Sequence, residues 1–214
     1  MKSKSIRLAK LIFGLFLYAV GIVATMNANL GYAPWEVFHS GIAGTTGLTI
    51  GVVSIIVGLI ICIGAFLMGE KLGLGTLMNM VLIGVFIDLI LWVDWIPHAS
   101  GYVSGVVLML AGLMIIGFGS YFYIDARFGA GPRDSLMVAL QRRTGLPVGV
   151  CRSVIEVAVT VIGWLMGGKL GVGTVLSAFA IGGCVQLAFR IVRFDATQVR
   201  HETLGDTFQK SRVQ

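Results

Sequence analysis

Arg152 and Glu156 are two ionisable residues inside an otherwise apolar stretch, and they stand four residues apart. That spacing puts both side chains on one face of a helix, close enough to form an ion pair. If the stretch lies in a membrane, its charges are costly to bury and should face a cavity or a partner. Two interpretations stay open: the pair only neutralises itself, or Arg152 contacts an anion while Glu156 binds a cation or a proton.

Asp88 and Gln186 are a second pair of polar residues in apolar surroundings, and 98 positions separate them. Each falls well past the middle of its predicted helix, so both can lie at a similar depth. Such groups line central cavities, but they also form interhelical hydrogen bonds of modest strength. We predict a substrate or ion site formed by Arg152, Glu156, Asp88 and Gln186, with interhelical bonding as the alternative for Asp88.

The elements that must position these groups are membrane-spanning helices. Only 12% of the 214 residues are charged and 57% are hydrophobic, whereas a soluble domain has about twice that charged fraction. A span needs about 20 apolar residues, so the sequence predicts six spans, at 9–30, 51–68, 74–92, 103–124, 148–166 and 172–190. An all-α membrane protein with a single membrane domain over 1–214 leaves no room for a soluble active site. We therefore expect no enzyme, no catalytic residue and no cofactor.

Basic residues cluster at one set of span ends. Fourteen Lys and Arg residues fall on one side, and Lys169 alone falls on the other. By the positive-inside rule, both termini and a tail at 194–214 are predicted to be cytoplasmic. The net charge of +6 follows from this distribution, so the lipid bilayer is the expected partner and nucleic acid is not. The tryptophans also fall at predicted outer ends, where indole rings favour the membrane surface: Trp35, Trp92, Trp95 and Trp164.

A repeat appears when the chain is compared with itself at an offset of 98 residues. Between 31–90 and 129–188, 18 of 60 aligned positions are identical, and these include glycines, a proline and a lysine. We predict two repeats, at 11–94 and 103–192, of three spans each. Because three is odd, the second copy must enter the membrane from the opposite side. The sequence therefore predicts two inverted three-helix repeats, an arrangement typical of secondary transporters.

Each repeat has a long connection after its first span, and both connections begin with the same signal. Pro34 is followed by Glu36, and Pro132 is followed by Asp134. Proline suits the first position of a helix, and a carboxylate in the first turn complements the free N–H groups there. These residues predict one short helix in each repeat. Whether that helix lies in the membrane interface or re-enters the bilayer stays open.

Three segments carry a resemblance to a known family: Gly-Tyr-Ala-Pro-Trp-Glu at 31–36, Gly-Ala-Gly-Pro-Arg-Asp at 129–134 and Gly-Lys-Leu-Gly-Val-Gly-Thr at 168–174. They resemble the YczE-like group (YczE, YyaS and YitT) of bacterial integral membrane proteins, over nearly the whole chain. The resemblance implies a multi-pass protein of the bacterial inner membrane. It carries over no catalytic residues, and we expect Asp in the family pattern where Glu36 stands, which keeps the charge.

The predicted architecture favours a small transporter or permease of an unidentified small solute, with its site near the bilayer midplane. The alternative is a non-transporting membrane protein that scaffolds or regulates a partner through its cytoplasmic loop and tail. A cavity that reaches Glu156 between the repeats would favour transport. Small-residue spacings suit helix packing or a homodimer equally. No metal site is predicted, because the three histidines are scattered: His39, His98 and His201.

Overall fold

A computed structural model describes residues 4–196, Val199 and Glu202. These residues form eight helices and no strand: α1 (Lys4–Asn27), α2 (Pro34–Thr46), α3 (Ile50–Leu67), α4 (Leu74–Val93), α5 (Tyr102–Asp125), α6 (Pro132–Thr144), α7 (Val148–Leu165) and α8 (Val172–Ile191). The predicted tail at 194–214 lies mostly outside the described residues.

The long helices are those of a membrane protein. Helices α1, α3, α4, α5 and α8 are each long and apolar enough to cross a bilayer. Helix α7 reaches that standard when taken with α6, which meets it at an angle of 119°. All six predicted spans are therefore helices at the expected positions, and the chain is a multi-pass, all-helical membrane protein.

The short helices α2 and α6 begin and end as their sequences dictate. Pro34 and Pro132 each occupy the first turn, with Glu36 or Asp134 close behind. Each helix ends at a glycine with positive φ, 74° at Gly47 and 70° at Gly145. Glycine reaches this left-handed conformation without the steric penalty of a Cβ atom, so both helices stop after 13 residues.

The helix bounds repeat at the same offset of 98 residues as the sequence. Adding 98 to the bounds of α1, 4 and 27, gives 102 and 125, the bounds of α5. In the same way, adding 98 to the bounds of α2, α3 and α4 gives the bounds of α6, α7 and α8. Each repeat is therefore one long helix, one short helix and two further long helices.

Helices α1 and α5 form the centre of the bundle through paired glycines. A Cβ atom built on Gly14 would lie 2.9 Å from the carbonyl oxygen of Gly119, and one on Gly21 would lie 2.6 Å from that of Gly112. Since 14 plus 98 is 112 and 21 plus 98 is 119, each contact is the image of the other. The two helices run antiparallel, and α4 packs on α1 as α8 packs on α5.

The short helices cross to the opposite repeat and lie inside the bundle. Helix α2 packs mainly on α7, and α6 packs mainly on α3. Helix α2 buries Trp35, Glu36, Val37 and His39, so it does not lie flat on a surface. The prediction of an outer-surface position for Trp35 is wrong, because this indole is only 6% exposed; the other three tryptophans are exposed.

One contact breaks the similarity between the repeats. Helix α3 packs closely along α4, whereas the equivalent helices α7 and α8 make almost no contact along their described lengths. The bundle is therefore closed between α3 and α4 and open between α7 and α8.

Candidate functional site

A cavity of about 290 Å³ lies within the bundle and is lined by residues of all eight helices. Its walls are apolar over much of their area, but a set of polar residues converges on it. Those residues are Tyr18, His39, Ser54, Asn79, Ser120, Tyr123, Arg133, Asp134, Arg152 and Glu156.

Arg152 and Glu156 form an ion pair on the cavity wall. The Nε–H of Arg152 donates to Oε1 of Glu156 at 2.8 Å. The side chain of Glu156 is 15% exposed and that of Arg152 is 43% exposed. The pair is therefore open toward the gap beside α7, and it is not sealed within the bundle.

The N-terminal turns of α2 and α6 meet at the same cavity. The guanidinium of Arg133 lies 4.5 Å from the centre of the Trp35 ring, and its Nη2 lies 3.4 Å from Oε1 of Glu36. Positions 35 and 133 are equivalent at the offset of 98. Two of the three segments that carry the family resemblance thus contact each other directly, through a cation–π contact and an ion pair.

Asp134 has a different partner from the other carboxylates. The hydroxyl of Tyr123 donates to its Oδ2 at 3.2 Å, and the ring of Tyr18 packs edge-on against that of Tyr123. Both tyrosines line the cavity with Asp134. This part of the site therefore combines a carboxylate with aromatic surface.

Two buried residues of α2 add titratable groups to the site. Glu36 is 4% exposed and its carboxylate lies beside the Arg133 guanidinium. His39 is 1% exposed, and its Nδ1 has no hydrogen-bond partner among the described residues.

A smaller cavity of about 60 Å³ lies beside the first. It is lined by Ala33, Pro34 and Glu36 at the start of α2 and by Ser177 of α8. Arg133, Arg152 and Glu156 line both cavities. These three side chains therefore lie between the two cavities.

The structure brings together only part of the predicted site. Arg152 and Glu156 line the cavity, but Asp88 does not. Its carboxylate accepts hydrogen bonds from the Thr49 hydroxyl at 2.5 Å and the Gly51 N–H at 2.8 Å, so it caps the start of α3. Gln186 is exposed on α8. The acidic helix starts Glu36 and Asp134 begin their helices as predicted and also reach the cavities.

Sequence reasoning missed the central position of Arg133 and Trp35. Arg133 had the residue type and position of a cytoplasmic charge, and Trp35 had those of an outer aromatic anchor. Their equivalence at the offset of 98 was the available signal.

No metal centre is assigned. Within residues 4–196, Val199 and Glu202, no group of three or more His, Cys, Asp and Glu side chains is arranged to hold a metal ion.

Comparisons with known proteins give a family and several relatives. A model of a family of unknown function, DUF6198, matches residues 5–190. The uncharacterized membrane protein YczE of Bacillus subtilis (strain 168) is 39% identical over 171 residues, which cover 79% of each chain. An uncharacterized protein of Haemophilus influenzae is 36% identical over 182 residues, 85% of this chain and 83% of its own.

A more distant relative is the uncharacterized protein YyaS of Bacillus subtilis (strain 168), which is 26% identical over 178 residues, 82% of this chain and 88% of its own. No solved structure gives a significant match.

Proposed function

The chain belongs to the DUF6198 family, as its YczE-like motifs predict, and on that premise we propose that it is an inner-membrane transporter of a small charged solute. The observation that carries the proposal is the cavity at the junction of the repeats, where Arg133, Arg152 and Glu156 stand together. Ionisable groups at membrane depth are costly and usually mark a solute or ion path. The proposal assigns no catalytic residue.

The proposed membrane topology is two inverted repeats with cytoplasmic termini. The antiparallel α1–α5 pair, with its exchanged glycine contacts, is what a two-fold axis in the membrane plane requires. The stacking of Trp35 on Arg133 adds support, because these residues belong to connections predicted on opposite sides of the membrane. Both short helices would then re-enter the bilayer and meet near its midplane, as in other transporters with inverted repeats.

The charges of the site indicate what kind of solute it suits. Glu36, Asp134 and Glu156 supply three carboxylates, and Arg133 and Arg152 supply two guanidinium groups. Glu36 and Glu156 each have an arginine partner, whereas Asp134 has Tyr123. A solute with an amino group could be held by Asp134, and an anionic group on the same solute could be held by the arginines.

The first test compares the metabolites of cells that produce or lack the protein. We expect at least one small charged solute to differ between cells and medium when the protein is present. Glu156→Gln and Asp134→Asn should abolish that difference at normal protein levels. The matched control is Glu70→Gln, because Glu70 pairs with Arg142 at 2.9 Å and does not line the cavity.

The competing hypothesis, a scaffold that regulates a partner, predicts a different outcome. Under that hypothesis, the distribution of solutes between cells and medium would not depend on the protein. The Glu156→Gln variant would also complement every phenotype that the wild-type gene complements. Either result at normal protein levels would contradict the transport proposal.

A further inference from the structure

Helices α3 and α4 pack through two glycines that approach each other closely. A Cβ atom built on Gly51 would lie 2.1 Å from the carbonyl oxygen of Gly84, and one built on Gly84 would lie 2.5 Å from the carbonyl oxygen of Gly51. No side chain fits at such distances, so glycine is required at both positions. This is the close backbone contact that paired small residues permit between membrane helices.

The second repeat keeps both glycines but not the contact. The equivalents of Gly51 and Gly84 are Gly149 and Gly182. A Cβ atom built on either of these would meet no described atom within 4 Å, and α7 and α8 stand apart. The second repeat therefore keeps the two small residues that the α3–α4 contact requires, at the same two positions, without the contact itself.

A second pair of positions on these helices also keeps the combination of a large and a small residue that close packing needs. In the first repeat, Gly58 makes room for Met80, whose Cγ lies 2.7 Å from a Cβ atom built on the glycine. The equivalent residues are Glu156 and Ala178. In the first repeat the small residue is on α3 and the large one on α4, whereas in the second repeat the large Glu156 is on α7 and the small Ala178 is on α8. Helices α7 and α8 could therefore pack at the same level, with Glu156 against Ala178.

Gln186 fits the same pattern. Its equivalent, Asp88, caps the first turn of α3 by accepting a hydrogen bond from the N–H of Gly51. If α8 approached α7 as α4 approaches α3, the side-chain oxygen of Gln186 could accept from the N–H of Gly149 in the same way. A role for Gln186 therefore exists in a closed arrangement, although its side chain is exposed in the open one.

We infer that α7 and α8 form a gate that closes by adopting the packing already present between α3 and α4. In the proposed topology, the open seam between the start of α7 and the end of α8 faces the cytoplasm, and the close α3–α4 contact faces outward. The described conformation is then open to the inside. Exchanging the two arrangements, with α7–α8 closed and α3–α4 apart, would open the cavity to the outside.

The use of this gate in transport rests on the proposed function, but the movement itself can be measured without any solute. Closure would cover Arg152 and Glu156, whereas opening exposes them. A transporter needs both states, and a scaffold does not. Movement of α7 and α8 in a protein that transports no solute would therefore support the gate and contradict the proposed function. Transport of a solute without this movement would support the proposed function and contradict the gate.

Disulfide trapping in the full-length protein tests the closure. The three native cysteines are first replaced by alanine: Cys62, Cys151 and Cys184. Pro147→Cys with Gln186→Cys then forms the test pair. The equivalents of these residues, Thr49 and Asp88, are in contact, since the Thr49 hydroxyl lies 2.5 Å from Oδ2 of Asp88. Cysteines at these two positions should therefore reach disulfide distance in the close arrangement.

The matched control pairs Pro147→Cys with Leu187→Cys. Leu187 is exposed, and its equivalent, Leu89, also faces outward from the bundle. After mild oxidation of the protein in liposomes, alkylation with N-ethylmaleimide and intact mass measurement count the remaining thiols. We expect at least a tenfold higher disulfide yield for 147/186 than for 147/187. Equal yields, with the 49/88 pair fully oxidised, would overturn the inference.

A second measurement uses steric blocking, which the open structure tolerates. Gly182→Leu and Gly183→Leu both place a side chain in open space, so both proteins should fold. Only Gly182→Leu should prevent closure and raise, by several fold, the rate at which an impermeant reagent added to the cytoplasmic side of inverted membrane vesicles alkylates a cavity thiol at Ser54→Cys. The same rate in both variants would contradict the gate.

Discussion

Glu156→Gln is expected to lower stability modestly and to abolish function. The carboxylate lies 2.8 Å from Nε of Arg152, and two unit charges centred about 4 Å apart attract by about 4 kcal/mol at an effective dielectric constant of about 20. Solvent reaches Arg152, and Gln keeps an acceptor oxygen, so the expected loss falls to about 1–2 kcal/mol. For a chain of this size, that loss lowers the Tm by about 2–8 °C.

The double variant Arg152→Met with Glu156→Gln separates a structural pair from a functional one. Replacing both partners of an ion pair is often neutral or stabilising, so its Tm should recover to near that of the wild type. The assay is thermal unfolding of the purified protein in detergent, together with the solute difference between producing and lacking cells. Full function in the double variant would show that the pair is only structural, and the proposed site would lose its centre.

Three further predictions concern packing, capping and topology. Gly21→Val should lower the free energy of unfolding by about 3 kcal/mol or more, because the new side chain would clash with backbone atoms of α5. The control, Gly64→Val, places its side chain in open space and should change the Tm little. Equal Tm shifts would contradict the α1–α5 contact. Asp88→Ala should cost about 1–2 kcal/mol through loss of the α3 cap and leave the solute difference intact, which a loss of function would contradict. In a cysteine-free background, a thiol at His98 should react with an impermeant reagent outside cells and one at Ser5 should not; the reverse pattern would overturn the proposed orientation.

Hydropathy and turn chemistry were enough to predict each of the helices that the described residues form. These signals are local: charge-free runs define the long helices, and the Pro34 and Pro132 motifs define the short ones. The repeat also follows from the sequence, because glycines and prolines recur at one offset. The crossing of α2 onto α7 could not be predicted, since it depends on which apolar faces fit together across a distance of more than a hundred residues.

The candidate site was predictable only where charged residues interrupt an apolar helix. Arg152 and Glu156 are such residues, and both line the cavity. Asp88 lay at a suitable depth, but depth does not identify a neighbour, and its partner is the backbone of Gly51. Arg133 escaped notice because its type suits the cytoplasmic side as well as it suits the centre.

Flux through the purified protein tests the central claim most directly. Liposomes that contain the wild-type protein, the Glu156→Gln variant or no protein are loaded with a metabolite extract from the source cells. Mass spectrometry then follows which solutes leave. Transport through the cavity predicts that one solute, or a few related charged solutes, is depleted from the wild-type liposomes alone. Identical retention of every solute in all three preparations would contradict it.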